Sequence, residues 1–84
     1  MGYGMAMPPL PLRTPIGLDA RGLRCPMPVL RLRKVLMEAP VGTTCLVEAD
    51  DPAAARDIPA FCAEMGWACS QPKARQWLVR RTDL

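Results

Sequence analysis

The sequence predicts an α+β domain. It is a two-layer α/β sandwich of order β-α-β-α-β-β, with a four-stranded mixed sheet and two helices on one face. Three observations carry that expectation. Two segments place apolar residues at helical spacing, each opened by a proline and each followed by a glycine. Four short segments with strand character accompany them. Each helix has a single apolar stripe, so both can cover the same side of one sheet.

Residues 1–14 read as a flexible proline-rich tail, and 15–84 as one domain. Ile16-Gly17-Leu18-Asp19-Ala20 alternates as a half-buried strand would. Gly22 supplies a turn. The first helix is expected from Pro26 to Ala39, with Cys25 as its N-cap. Proline is favoured at the first helical position because the N–H it lacks would be unpaired there anyway. Pro28 still lies in the first turn. Val29, Leu32, Val35 and Leu36 fall on one face, and Pro40 and Gly42 end the helix. Thr43 to Ala49 is rich in β-formers and reads as the second strand.

Asp51-Pro52 repeats the device of a cap residue followed by proline. The second helix then runs to about Met65 on a stripe of Ile58, Phe61, Cys62 and Met65. Pro59 is expected to kink it, and Gly66 to stop it. Strands at 67–71 and 76–81 follow, with Pro72 and Lys73 in the turn. The first two strands should be parallel, joined by a right-handed crossover, and the last two should form a hairpin.

Composition narrows the function. A chain of 84 residues buries roughly 60–65% of its unfolded surface, which leaves little room for an internal cavity. Chemistry should therefore sit on the surface and use few groups. The net charge of +3 is too small to argue for nucleic-acid binding by itself. No segment has the length and apolarity of a membrane span. The first residues resemble neither a secretory signal nor a myristoylation site, so a cytoplasmic placement with reduced thiols is expected.

Cysteines stand at 25, 45, 62 and 69, with no C-x-x-C pair and no histidine in the chain. This argues against zinc and removes any Cys–His catalytic pair. No metal and no cofactor are expected. Cys45 and Cys62 read as core residues, and Cys69 could face either way.

Cys25 is the candidate for chemistry. A thiol at a helix N-cap faces unpaired N–H groups and the positive end of the macrodipole, which favour an anion. The expectation is a lowered thiol pKa, helped by Arg24 and Arg21. Pro26 and Pro28 fix the backbone and present the sulfur on a rigid, exposed edge. That suits a nucleophile reached by large protein partners, needing neither a general base nor a cofactor.

Leu18-Asp19-Ala20-Arg21-Gly22-Leu23-Arg24-Cys25-Pro26-Met27-Pro28 resembles the signature of the TusA/SirA-like sulfurtransferase family, whose hallmark is C-P-x-P. Asp50-Asp51-Pro52 and Arg56-Asp57-Ile58-Pro59-Ala60-Phe61-Cys62 are similar to that family's second helix, and the likeness spans about 16–81. The resemblance implies the same two-layer fold and a persulfide carried on Cys25. Pro26, Pro28, Arg24, Asp19 and Gly22 are its supporting positions. It implies a cysteine desulfurase or rhodanese-like sulfur donor and a DsrE-like or other acceptor protein. The relay would serve tRNA thiolation, molybdenum-cofactor synthesis or sulfur oxidation. Met27 stands where the tRNA-thiolation members carry an acidic residue, which points toward a different partner.

Arg21, Arg31, Arg33, Lys34 and Met27 are expected to meet partner proteins. Arg56 is placed to pair with Asp19 or Asp51, or to join that surface. Basic charge there would speed encounter with acidic partners. The alternative function is an RNA- or protein-binding regulatory module on the same fold. Direct nucleic-acid binding lacks an aromatic stacking platform, because Phe61, Trp67 and Trp77 read as packing residues. A redox-sensing thiol ranks last, having no obvious resolving cysteine.

Overall fold

The computed structural model describes residues 15–82. The expected tail, 1–14, lies outside them. The elements are β1 (Ile16–Asp19), α1 (Met27–Met37), β2 (Thr44–Glu48), α2 (Ala54–Met65), β3 (Ala68–Lys73) and β4 (Gln76–Arg80). The order β-α-β-α-β-β and the four-stranded mixed sheet are as the patterning requires. The strands lie in the order β1-β2-β4-β3. β1 runs parallel to β2, β4 is antiparallel to β2, and β3 is antiparallel to β4.

One face of the sheet carries the core. The register places Leu18 beside Val47 and Val47 beside Trp77, with Cys45 beside Val79 in the next row. Val47, Trp77, Cys45 and Val79 are buried. Leu32 and Leu36 of α1 and Ile58, Phe61 and Cys62 of α2 complete this core. Burying each large aliphatic side chain is worth roughly 1.5–3 kcal/mol. The Phe61 and Trp67 rings meet edge to face, 5.5 Å between centroids. Among the described residues no polar or charged residue is buried, and no helix is long and apolar enough to cross a membrane.

Several boundaries differ from the sequence reading, each for a physical reason. α1 begins at Met27 with Pro26 as its cap residue, so Cys25 is not the N-cap but lies one position before it. It ends at Met37 rather than Ala39. There the Arg81 guanidinium donates to the carbonyls of Leu36 (3.1 Å) and Ala39 (2.8 Å), satisfying acceptors that the helix leaves open. α2 begins at Ala54, not at Pro52. Asp51 still acts locally as a cap, accepting from the Ala53 N–H at 3.2 Å. α2 passes through Pro59 as one element and ends at Gly66, whose φ of 76° is the left-handed conformation that glycine adopts at low cost.

The expected turn at Pro72 and Lys73 is wrong. Both lie in β3, and the hairpin turns at Ala74 and Arg75, where Arg75 has φ of 63°. β3 is an edge strand with an irregularity between Ser70 and Lys73. A proline there removes no ladder hydrogen bond that the sheet needs.

Candidate functional site

β1 and β2 are parallel, and each leads directly into a helix. Their carboxyl ends, and so the amino ends of α1 and α2, share one edge of the sheet. The site forms where those two helix starts meet.

The loop from β1 to α1 is tied down at both ends. Ala20, fully buried, extends the ladder by donating to the Glu48 carbonyl at 2.7 Å. Gly22 has φ of 83° and donates its N–H to Asp50 Oδ1 at 2.9 Å. The Cys25 N–H donates to Asp51 Oδ2 at 2.6 Å. The Asp50-Asp51 pair before α2 thus clamps the segment that presents Cys25. Pro28 is buried, while Pro26 is exposed and joined to Cys25 by a cis peptide bond. The Met27 N–H donates back to the Arg24 carbonyl at 2.8 Å.

Cys25 is exposed, and its Sγ donates a hydrogen bond to Asp57 Oδ2 at 2.8 Å. Asp57 stands in the first turn of α2, with Arg56 Nε on its other oxygen at 3.1 Å. This contact corrects the expected electrostatics. The Cys25 thiol is pushed above its ordinary value, not below it. The Asp57 carboxylate accepting the thiol hydrogen is the largest cause. Lost hydration and the charges of Asp57 and Asp51 add to it, and Arg56 opposes them. The helix end offers the sulfur little in return. Pro26 and Pro28 have no N–H, and that of Met27 is already taken. Asp57 and Asp51 are held below the usual carboxylate range by the hydrogen bonds they accept, Asp57 chiefly from Cys25 and Asp51 chiefly from the Cys25 N–H.

The other expected site residues are distributed as follows. Arg24 is exposed beside Cys25. Asp19 and Arg21 form a two-point ion pair at 2.9 and 3.0 Å, which lowers the Asp19 carboxyl to about 2. Arg56 pairs with neither Asp19 nor Asp51, because its near neighbour Asp57 takes it. Arg31, Arg33 and Lys34 are exposed on α1, with Lys34 paired to Glu38 at 2.8 Å. That surface is mixed rather than simply basic, because Met27, Leu30 and Met37 are also exposed on it.

The remaining thiols differ in kind. Burial pushes Cys45 up to about 11 and Cys62 up to about 12, so both are poor nucleophiles near neutral pH. Cys69 is exposed on β3, close enough to Cys62 to add to the upward shift of that thiol.

Sequence reasoning gave Asp57 no role beyond its place in the segment similar to the family's second helix. It saw Asp51 as a helix cap and a candidate partner for Arg56, not as a contact of Cys25. A signal was available. Two parallel strands each feeding a helix must bring both helix starts to one edge, and Asp57 is the acidic residue of the second one.

Beside the site, a groove of about 600 Å³ runs between the helices past Pro26, Val29, Asp57 and Phe61. On the other side of the loop lies a hollow of about 440 Å³ lined by Gly22, Arg24 and Asp51. Cys25, itself exposed, thus has an open hollow on either side of its loop. The sequence matches the family model described as Sulfurtransferase TusA over residues 16–80 of 84. That span holds both helix starts and the two carboxylates hydrogen-bonded to Cys25, and the chain accordingly belongs to the TusA sulfurtransferase family, whose members carry sulfur in protein relays.

Proposed function

We propose that this protein carries sulfur as a persulfide on Cys25, received from a cysteine desulfurase or rhodanese-like protein and passed to a DsrE-like or other acceptor protein. The observation that carries the reading is the placement of Cys25. Cys25 is exposed on a loop fixed by Gly22, Asp50 and Asp51, at the meeting point of two helix starts. Cys45 and Cys62 are buried and held protonated.

The step balances without an oxidant. The Cys25 sulfur attacks the terminal sulfur of a donor persulfide. The donor's S–S bond breaks, a new S–S bond forms on Sγ, and the Cys25 proton ends on the departing donor thiol. Delivery reverses the sequence on the acceptor. Met27, 38% exposed, and Leu30, 50% exposed, give the partner an apolar contact beside the sulfur, and Arg31 and Lys34 add charge. With Met27 in the motif, the partner surface that meets it should be apolar.

The test is mass spectrometry after incubation with a cysteine desulfurase and cysteine. The protein should gain about 32 Da, one sulfur atom. Cys25→Ser should gain nothing while keeping its fold by circular dichroism. Equal gain by Cys25→Ser would sink the reading.

A further inference from the structure

We propose that Asp57 is a positioning residue that works as a loading-sensitive latch: its carboxylate holds the empty Cys25 thiol through the Sγ–H···Oδ2 hydrogen bond and lets the sulfur go once it carries persulfide. The proposal rests on the persulfide reading of Cys25.

The argument starts from atoms. An empty thiol has one hydrogen, and here it points at Asp57 Oδ2 across 2.8 Å. Loading replaces that S–H bond with an S–S bond. In balanced form, Cys25–SH and R–SSH give Cys25–SSH and R–SH. Sγ then has no hydrogen left to donate, so the bond to Asp57 cannot persist in the loaded protein.

Charge acts in the same direction. A persulfide ionises more readily than a thiol, so the added sulfur is an anion near neutral pH. The groups around it are the Asp57 and Asp51 carboxylates from the start of α2, with Arg56 and Arg24 as the nearby cations. Arg56 is already engaged with Asp57 Oδ1 at 3.1 Å. A neutral thiol is attracted to Asp57, and a persulfide anion is repelled by it.

Asp57 itself stays in place. It sits in the first turn of α2, its side chain is 24% exposed, and Arg56 holds its second oxygen. Loading therefore moves the sulfur rather than the carboxylate. A donor protein meets a tethered thiol, and an acceptor meets a released persulfide. The two partners can be told apart at the same exposed position.

The experiment loads the full chain with inorganic polysulfide and confirms the added sulfur by mass. The Asp57 carboxyl is then titrated by carbon-13 NMR in the empty protein, in the loaded protein and in Cys25→Ala. In the empty protein Asp57 should titrate below the ordinary carboxylate value. It should move upward on loading and also in Cys25→Ala, because both remove the donated hydrogen. A titration unchanged by loading, in protein shown to be loaded, overturns the latch and leaves the carrier reading standing. Failure of polysulfide to add mass at Cys25 overturns the carrier reading, and the latch falls with it.

A second variant reads the empty state alone. Asp57→Asn should shift the pH profile of Cys25 alkylation by iodoacetamide to lower pH. An unmoved profile would show that Asp57 does not hold the thiol.

Discussion

The two helix starts look alike in sequence and do opposite work. Each has a short polar or sulfur-bearing residue followed by proline: Cys25-Pro26 before α1 and Asp51-Pro52 before α2. Read separately, both are capping devices. In the folded chain the first offers a thiol and the second offers the carboxylates that hold it. The difference shows which electrostatic effect wins at Cys25. A helix dipole amounts to about half a charge at its end. Two full negative charges stand against it, and one of them is in direct hydrogen-bond contact with the sulfur. The thiol pKa therefore rises. For a carrier this is workable, because a thiol kept protonated at rest is protected from stray oxidants and alkylating agents.

The largest effect expected from this division of labour is functional. Cys25→Ser should abolish sulfur loading, whereas Asp51→Asn should slow it, because only the clamp on the Cys25 N–H is weakened. Equal loss in both, measured as the rate of mass gain in folded protein, would break the distinction between chemistry and support. Next in size is a core change. Leu32→Ala, at a fully buried position of α1, should cost about 2–5 kcal/mol in urea unfolding. It should leave the pH profile of Cys25 alkylation where it was, measured while the protein is still folded. A shifted profile would mean that the helix body, and not its start, sets the thiol.

A smaller effect is expected in acid. Asp51 and Asp57 have folded values below their ordinary value of about 4. Their contribution to stability is therefore complete above that value. It is lost as the pH falls through the lowered folded values. Asp19, lowered to about 2 by Arg21, contributes further down the same limb. Asp51→Asn together with Asp57→Asn should flatten the acid limb of the urea midpoint and leave the part due to Asp19. An unaltered limb would show that the start of α2 is not the acid-sensitive end. The smallest effect is on the exposed side of α1. Lys34 and Glu38 are 70% and 65% exposed, so Lys34→Ala should change stability by about 0.5 kcal/mol or less. A larger loss would assign that surface a part in the fold.

Most of the architecture was legible along the chain. Leu32 and Leu36, and Ile58, Phe61 and Cys62, mark the buried helix faces by spacing alone, and all five are buried. Gly66 marks a helix end by its backbone freedom. Less legible were features that depend on a distant partner. Arg81 caps α1 from forty-five residues beyond Leu36, and no local pattern announces it. Pro72 reads as a turn residue until its strand is known to be at the edge.

The sequence by itself determined the elements, the core faces and Cys25 as the candidate position for chemistry, because periodicity and proline placement act over a few residues. Only the tertiary structure decided the state of that sulfur. Protonation depends on what lies within a few ångströms, and the nearest charge belongs to Asp57, thirty-two residues away along the chain and in contact across the fold.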